Sequence, residues 1–230
     1  NYIDLRSPQS WFLASPPISY GGELPENDLS AGFRRSKLSW YTIDPIFYID
    51  SQRPSGLNLR DVSNNKTRRI YNQELYPNTN IVQGESTVIS TLDLSYYPNE
   101  RGPYNFNPAI NISDQTLGNP RNNWAGIMRA LSTTNFEQSN VEYVQFWMMD
   151  PYYSADPNVA ANATNDGKVV INLGDISEDI LKDGRKFYEN GLPSVGSTVP
   201  TYTSAWGKIP SSQSLIYAFD SDTGNRSFQD

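Results

Sequence analysis

Residues 136–152 read FEQSNVEYVQFWMMDPY, and the fold is decided by how this stretch is understood. Val141, Tyr143, Val144, Phe146, Trp147, Met148 and Met149 leave no polar face in its centre. A short apolar run rich in aromatic and β-branched residues predicts a strand buried on both faces. Pro151 stops it, since proline has no N–H to give to a ladder. A polar loop over 154–166 follows, and Val169, Val170, Ile171 and Leu173 predict a second strand. Asp175 and Glu178 have capping-box spacing, with Asp in place of the usual Ser or Thr. Ile176, Ile180, Leu181, Phe187 and Tyr188 then recur at helical spacing, and Gly191 and Pro193 supply the stop. The centre of the chain is therefore expected as strand, loop, strand and one prominent helix over 176–190.

Working outward, residues 1–30 hold no strong period, and Pro8, Pro16, Pro17, Pro25 and Gly21-Gly22 make them an extended lead-in. Residues 37–47 alternate, with Leu38, Trp40 and Thr42 on one side and Tyr41 and Ile43 on the other, which predicts a strand ended by Asp44-Pro45. Residues 50–68 are polar and predict a long mobile loop. A strand is expected over 85–97, a loop over 98–122, a short apolar element over 124–131 that allows helix or strand and whose flanking turn signals favour strand, a loop over 191–214 and a last strand at 215–219. Several strands, long loops and one helix suggest a mainly-β domain of β-sandwich or jelly-roll type over 31–230.

The 230 residues contain no Cys and no His. That excludes a disulfide framework, the common zinc sites, Ser–His triads and Cys nucleophiles. The net charge is −7, and the longest basic clusters are the pairs Arg34-Arg35 and Arg68-Arg69, so nucleic acid is not an expected partner. No run of about 18 apolar residues is present, so no helix of this chain is expected to span a membrane. The chain begins at Asn1 and stops on a polar tail, and both ends are expected to be cuts in a longer protein.

Two carboxylates flanking a bond could hydrolyse a glycoside, and Glu137 with Glu142 or Glu178 with Asp179 are the pairs available. Asp175, Glu178 and Asp179 are already explained by the favourable field at a helix start, and Glu137 and Glu142 by the solvated ends of a strand. No catalytic residue and no cofactor is assigned. Asp220 and Asp222 in DSDTG place alternating acidic oxygens before a glycine, as in loops that wrap Ca²⁺. The EF-hand spacing needs a further oxygen ligand and a distal Glu, and both are missing. The aromatic residues Trp40, Tyr41, Tyr96, Tyr97, Tyr104, Trp124, Trp147, Tyr152, Tyr153 and Trp206 fit a sugar-stacking platform, a core or a protein interface. Trp124 and Trp147 are expected in the core. Tyr104, Tyr152 and Tyr153 lie in loops and are the candidate partner-binding anchors. A carbohydrate-binding module of a secreted or surface protein is the alternative these aromatics leave open.

Long segments resemble one family. They are NWAGIMRALSTTNFEQSNVEYVQFWMMDP at 123–151, NLGDISEDILKDGRKFYENGLP at 172–193 and GFRRSKLSWYTIDPIF at 32–47. RIYNQELYPN at 69–78, LDLSYYPNERGPYNF at 92–106 and YAFDSDTGNRSFQD at 217–230 add to them. The chain resembles the SprA/Sov family, the outer-membrane translocon of the type IX secretion system of Bacteroidetes. The resemblance implies an outer-membrane β-barrel of extreme size that passes folded cargo and supports gliding motility. The family protein is far longer than this chain. A barrel wall needs repeated segments of about ten alternating residues, and few occur here. The resemblance therefore implies a non-catalytic insertion, a cap or a plug, with the extracellular side favoured over the periplasmic. Its partners would be the rest of the barrel, the outer-membrane accessory proteins and secreted cargo.

Overall fold

The computed structural model describes residues 3–25, 28–110, 116–132, 135–138, 140–152, 167–182, 201–204 and 207–210. Within them the chain is mainly β, with eight short strands and two short helices. The strands are β1 (Phe12–Leu13), β2 (Ser36–Tyr41), β3 (Ile70–Tyr71), β4 (Val88–Ile89), β5 (Asp93–Arg101), β6 (Ile127–Met128), β7 (Thr201–Ser204) and β8 (Gly207–Pro210). The helices are α1 (Leu59–Ser63) and α2 (Asn72–Leu75). The strands associate in twos, β1 with β6, β2 with β5, β3 with β4 and β7 with β8.

The chain divides into two compact units. The first comprises Asn1–Ser10, Trp40–Leu94 and Ala130–Val169, and the second Trp11–Ser39, Ser95–Arg129 and Val170–Asp230. The lead-in drawn at residues 1–30 thus contributes to both, and it contains β1.

In the first unit β3 and β4 are antiparallel, with Ile70 opposite Ile89 and Tyr71 opposite Val88. The polar stretch at 50–68, expected as a mobile loop, carries α1. Asn58 accepts from the Asp61 N–H at 3.2 Å, and the Asp61 carboxylate accepts from the Asn58 N–H at 2.8 Å. This reciprocal capping box satisfies two donors that a helix start otherwise leaves open, so a few polar residues suffice to turn the chain. The Asp44-Pro45 stop holds. The Asp44 side chain accepts from the Ile46 N–H at 2.9 Å and starts a 3₁₀ turn over Pro45–Tyr48. Tyr48 donates its hydroxyl to the Thr67 carbonyl, and the Arg69 guanidinium lies 4.6 Å from the Tyr48 ring centroid. Burial, then the charge of Asp93, pushes the Tyr48 hydroxyl pKa up, against the pull of Arg69.

The second unit holds most of the buried side chains among the described residues. Ala31, Leu117 and Trp124 are its buried apolar members, beside the polar Ser15, Arg35, Ser36, Asn105 and Asn123. Such a core is held by hydrogen bonds as much as by apolar area, because buried polar groups are costly unless paired. Asn105 Nδ2 donates to the carbonyls of Phe33 at 3.1 Å and Arg35 at 2.5 Å. Asn123 Nδ2 donates to Pro98 at 2.7 Å and Gly118 at 3.1 Å. Ser36 Oγ donates to the Pro98 carbonyl at 3.0 Å. The strand expected to stop before Pro98 continues through it to Arg101. A proline is tolerated on a strand with an open edge, since its missing N–H is not needed there. Gly102 packs so closely on this network that a Cβ would collide with the Ser36 carbonyl.

Several expectations are overturned. Residues 141–149 form no strand, and from Tyr143 to Met149 their apolar side chains face solvent, with Tyr143 82% and Trp147 63% exposed. Their composition has strand character, but burial needs a partner ladder, and none of the strand pairs among the described residues includes them. Residues 169–173 are likewise exposed and outside any strand. The helix expected over 176–190 does not form across 176–182, and residues 183–190 lie outside the described residues. Tertiary contacts override its helical code. Arg35 Nη2 takes the Ile180 carbonyl at 2.8 Å, Lys182 Nζ takes the Gly22 carbonyl, and Lys182 itself adopts φ 58°. The Asp179 side chain accepts from the Lys182 N–H at 2.7 Å, closing a turn rather than capping a helix. In the stretch expected as a loop over 191–214, β7 and β8 instead form an antiparallel pair, Thr201 opposite Pro210 through Ser204 opposite Gly207. The last strand expected at 215–219 lies outside the described residues.

Candidate functional site

The feature that asks for a function is the run at 141–152 of the first unit. The chain enters it through a turn in which the Asn140 N–H donates to the Glu137 carbonyl at 3.1 Å and the Val141 N–H to the Phe136 carbonyl at 2.9 Å. Asn140 sits at φ 50°, in the left-handed region that Asn tolerates better than most residues. The run ends at a second turn, where the Asp150 carboxylate accepts from the Tyr152 N–H at 2.9 Å. Between these two turns, Tyr143, Val144, Phe146, Trp147, Met148 and Met149 are all exposed. Neighbours on a strand point to opposite sides, so the run drawn out as a strand would be apolar on both. Exposed apolar segments of this kind are common at interaction surfaces.

Of the anchors expected from the sequence, Tyr152 is exposed at the exit of this run. Gly167 comes so near it that a Cβ there would lie 2.5 Å from the Tyr152 hydroxyl. Tyr104 belongs to the second unit, half-buried at φ 55°, where its carbonyl approaches Gly32. Tyr153, the loop at 154–166, Trp206, Asp220 and Asp222 lie outside the described residues. The stretch at 98–122 is not a free loop where it is described. It contains the end of β5 and the buried Gly102, Asn105 and Leu117.

Glu137 and Glu142 flank the entry to the run, while Glu178 and Asp179 belong to the second unit. Two open clefts lie in the first unit. One of about 360 Å³ is lined by Tyr71, Gln73, Ile81, Val82, Gln83, Gly84, Glu85 and Thr87. The other, about 390 Å³, is lined by Pro8, Gln9, Trp40, Tyr41 and Thr42, and there the Trp40 indole N–H donates to the Pro8 carbonyl at 3.2 Å. Trp40 and Tyr41 are the members of the expected aromatic platform that meet in one cleft. Tyr96 and Tyr97 are exposed on β5, and Lys37 lies over the Tyr97 ring at 5.0 Å.

Sequence reasoning passed over Arg35. It is fully buried beside the exposed Arg34, and a lone RR pair carries no signal of that difference. A scan against protein-family models and a search of the curated proteins both find no match for this chain. Among the described residues, no helix is long and apolar enough to cross a membrane.

Proposed function

We propose that this chain is a non-catalytic segment of a SprA-like outer-membrane translocon, a cap or plug that supports type IX protein secretion and gliding motility. The observation that supports the reading is the exposed apolar run at 141–149. A segment with strand composition, apolar on both sides and bounded by turns, belongs inside a larger assembly. The long segments that resemble the SprA/Sov family name that assembly. In this reading the paired strands are completed into a β-sandwich by strands of neighbouring regions, and the run at 141–149 pairs with a strand of another part of the assembly. The acidic balance suits a surface past which folded cargo must slide without sticking, because like-signed charge discourages non-specific association. The extracellular side is favoured.

The test is made in the full-length protein in cells. Residues 141–149 are replaced by a Gly/Ser segment of the same length, and secretion is measured at matched protein level. Loss of secretion, with loss of co-purifying outer-membrane proteins, is expected. Unchanged secretion and co-purification would overturn the proposal. Protease cleavage on intact cells supports the cap, and protection until the outer membrane is opened supports the plug. Saturable binding of the purified chain to a glycan would move the assignment to a carbohydrate-binding module.

A further inference from the structure

The run at 141–149 says more than that a partner exists, because its backbone and its charge constrain what that partner is. Among the described residues no residue of the run is paired in a strand or bridge, and the Val141 N–H is taken by the Phe136 carbonyl at its entry. Drawn out as a strand at ~3.3 Å per residue, such a run would span about 30 Å, a full-length sheet strand. Its apolar side chains at odd and even positions alike are exposed, which suits a strand that enters a sheet and is then covered above and below. The entry turn at Glu137–Asn140 and the exit turn at Asp150 fix both ends of the run. From Phe136 to Tyr152 the sequence carries Glu137, Glu142 and Asp150 and not one Lys or Arg.

We infer that residues 141–149 add themselves as a strand to the exposed edge of a β-sheet whose edge strand carries Lys or Arg near its ends. Main-chain hydrogen bonds supply the affinity of such strand addition. The acidic residues at 137, 142 and 150 select the partner and its register through opposite charge. A second copy of this chain presents the same acidic run and is disfavoured as occupant on that ground. The inference deepens the translocon proposal and takes from it only that the sheet edge belongs to another part of the assembly.

The probe is an end-blocked synthetic peptide of alternating Val and Thr with Lys at both ends, titrated into the purified chain and followed by tryptophan emission. Controls are the same peptide with Glu at both ends and the Lys peptide N-methylated at alternate residues. The Lys peptide is expected to bind saturably, about ten-fold or more tighter than the Glu peptide, and less tightly as salt is raised. Phe146→Pro should abolish binding and leave the circular dichroism unchanged, because no ladder bond is lost in the free chain. No binding, equal binding of the Lys and Glu peptides, or full binding by the N-methylated peptide or by Phe146→Pro would overturn the inference. Concentration-dependent dimerisation that Phe146→Pro removes would also overturn it, by making a second copy the occupant. A chain that binds the Lys peptide as expected, from a protein that secretes normally without residues 141–149, would keep the inference and defeat the translocon proposal.

Discussion

The guanidinium of Arg35 lies 5.1 Å from the ring centroid of Trp124, and both residues are buried. The contact joins the apolar and the polar parts of the second unit. Trp124 also meets the Tyr20 ring at 6.0 Å, tilted by 36°. Its backbone is bonded on both sides of Arg35, Ser36 N–H to Trp124 carbonyl at 2.8 Å and Trp124 N–H to Arg34 carbonyl at 3.0 Å. Trp124→Ala should therefore cost about 3–5 kcal/mol, as large aromatic deletions in cores do. Arg35→Lys should cost about 2–4 kcal/mol, because an ammonium cannot reproduce the planar fork and leaves buried carbonyls unpaired. Urea unfolding measures both, and a loss below about 1 kcal/mol for Trp124→Ala would take it out of the core.

Trp147→Ala should have the opposite outcome. Its exposed ring makes the change a surface substitution, within about 0.5–1 kcal/mol of the parent. Acrylamide should quench Trp147 emission strongly in the parent. A cost above about 3 kcal/mol would mean that Trp147 is buried after all.

Gly102→Ala should destabilise by about 1–3 kcal/mol through overpacking, because the added methyl meets the Ser36 backbone carbonyl rather than a side chain that could swing away. A thermal melt within 1 °C of the parent would refute the close packing.

Glu74 gives a pH-dependent prediction. The Tyr71 N–H donates to its carboxylate at 2.9 Å, and Arg68 lies beside it at 2.9 Å. The backbone hydrogen bond from Tyr71 lowers its pKa below the ordinary 4.5, desolvation opposes it, and the hydrogen bond and charge of Arg68 add to the lowering. A lowered folded pKa means that this carboxylate contributes stability above the ordinary value and loses it as pH falls through the lowered one. Glu74→Gln should therefore flatten the fall in stability below pH 4.5. Urea midpoints from pH 6 to pH 3 that run parallel in the two proteins would show that Glu74 carries no such linkage.

Asn58→Ala should remove half of the capping box of α1 and cost about 1 kcal/mol. Faster hydrogen exchange at the Asp61 amide is the local readout, and unchanged exchange there would show that the cap holds nothing.

These residues show what the sequence makes legible. β2 is legible because its alternation and its Asp-Pro stop are local, and Trp124 because a large indole leading into the short apolar stretch at 125–128 has few places to go. The capping box at Asn58 and Asp61 was present in the letters, but the polarity of 50–68 hid it behind the expectation of a loop. The mainly-β class follows from composition and turns, while the sheet order does not, since pairing joins residues as distant as Phe12 and Met128. The helical code at 176–182 failed for a tertiary reason. Its carbonyl at Ile180 is worth more to a buried arginine than to a fourth-neighbour N–H. The run at 141–149 was legible as strand material and illegible as to place, because burial of a strand is decided by a partner that its own sequence does not contain.

The three carbonyls on Arg35 also imply an order of assembly. They lie 21, 68 and 145 residues away along the chain, at Ala14, Pro103 and Ile180. Loop-closure entropy grows with the logarithm of that separation, so each further loop is dearer than the last by about 1 kcal/mol or somewhat less. Chain statistics thus bring Ala14 to the guanidinium first, Pro103 next and Ile180 last. The segment that arrives last is also the first to let go, and opening of the second unit should begin by peeling residues 176–182 away from an arginine that the other two carbonyls still hold.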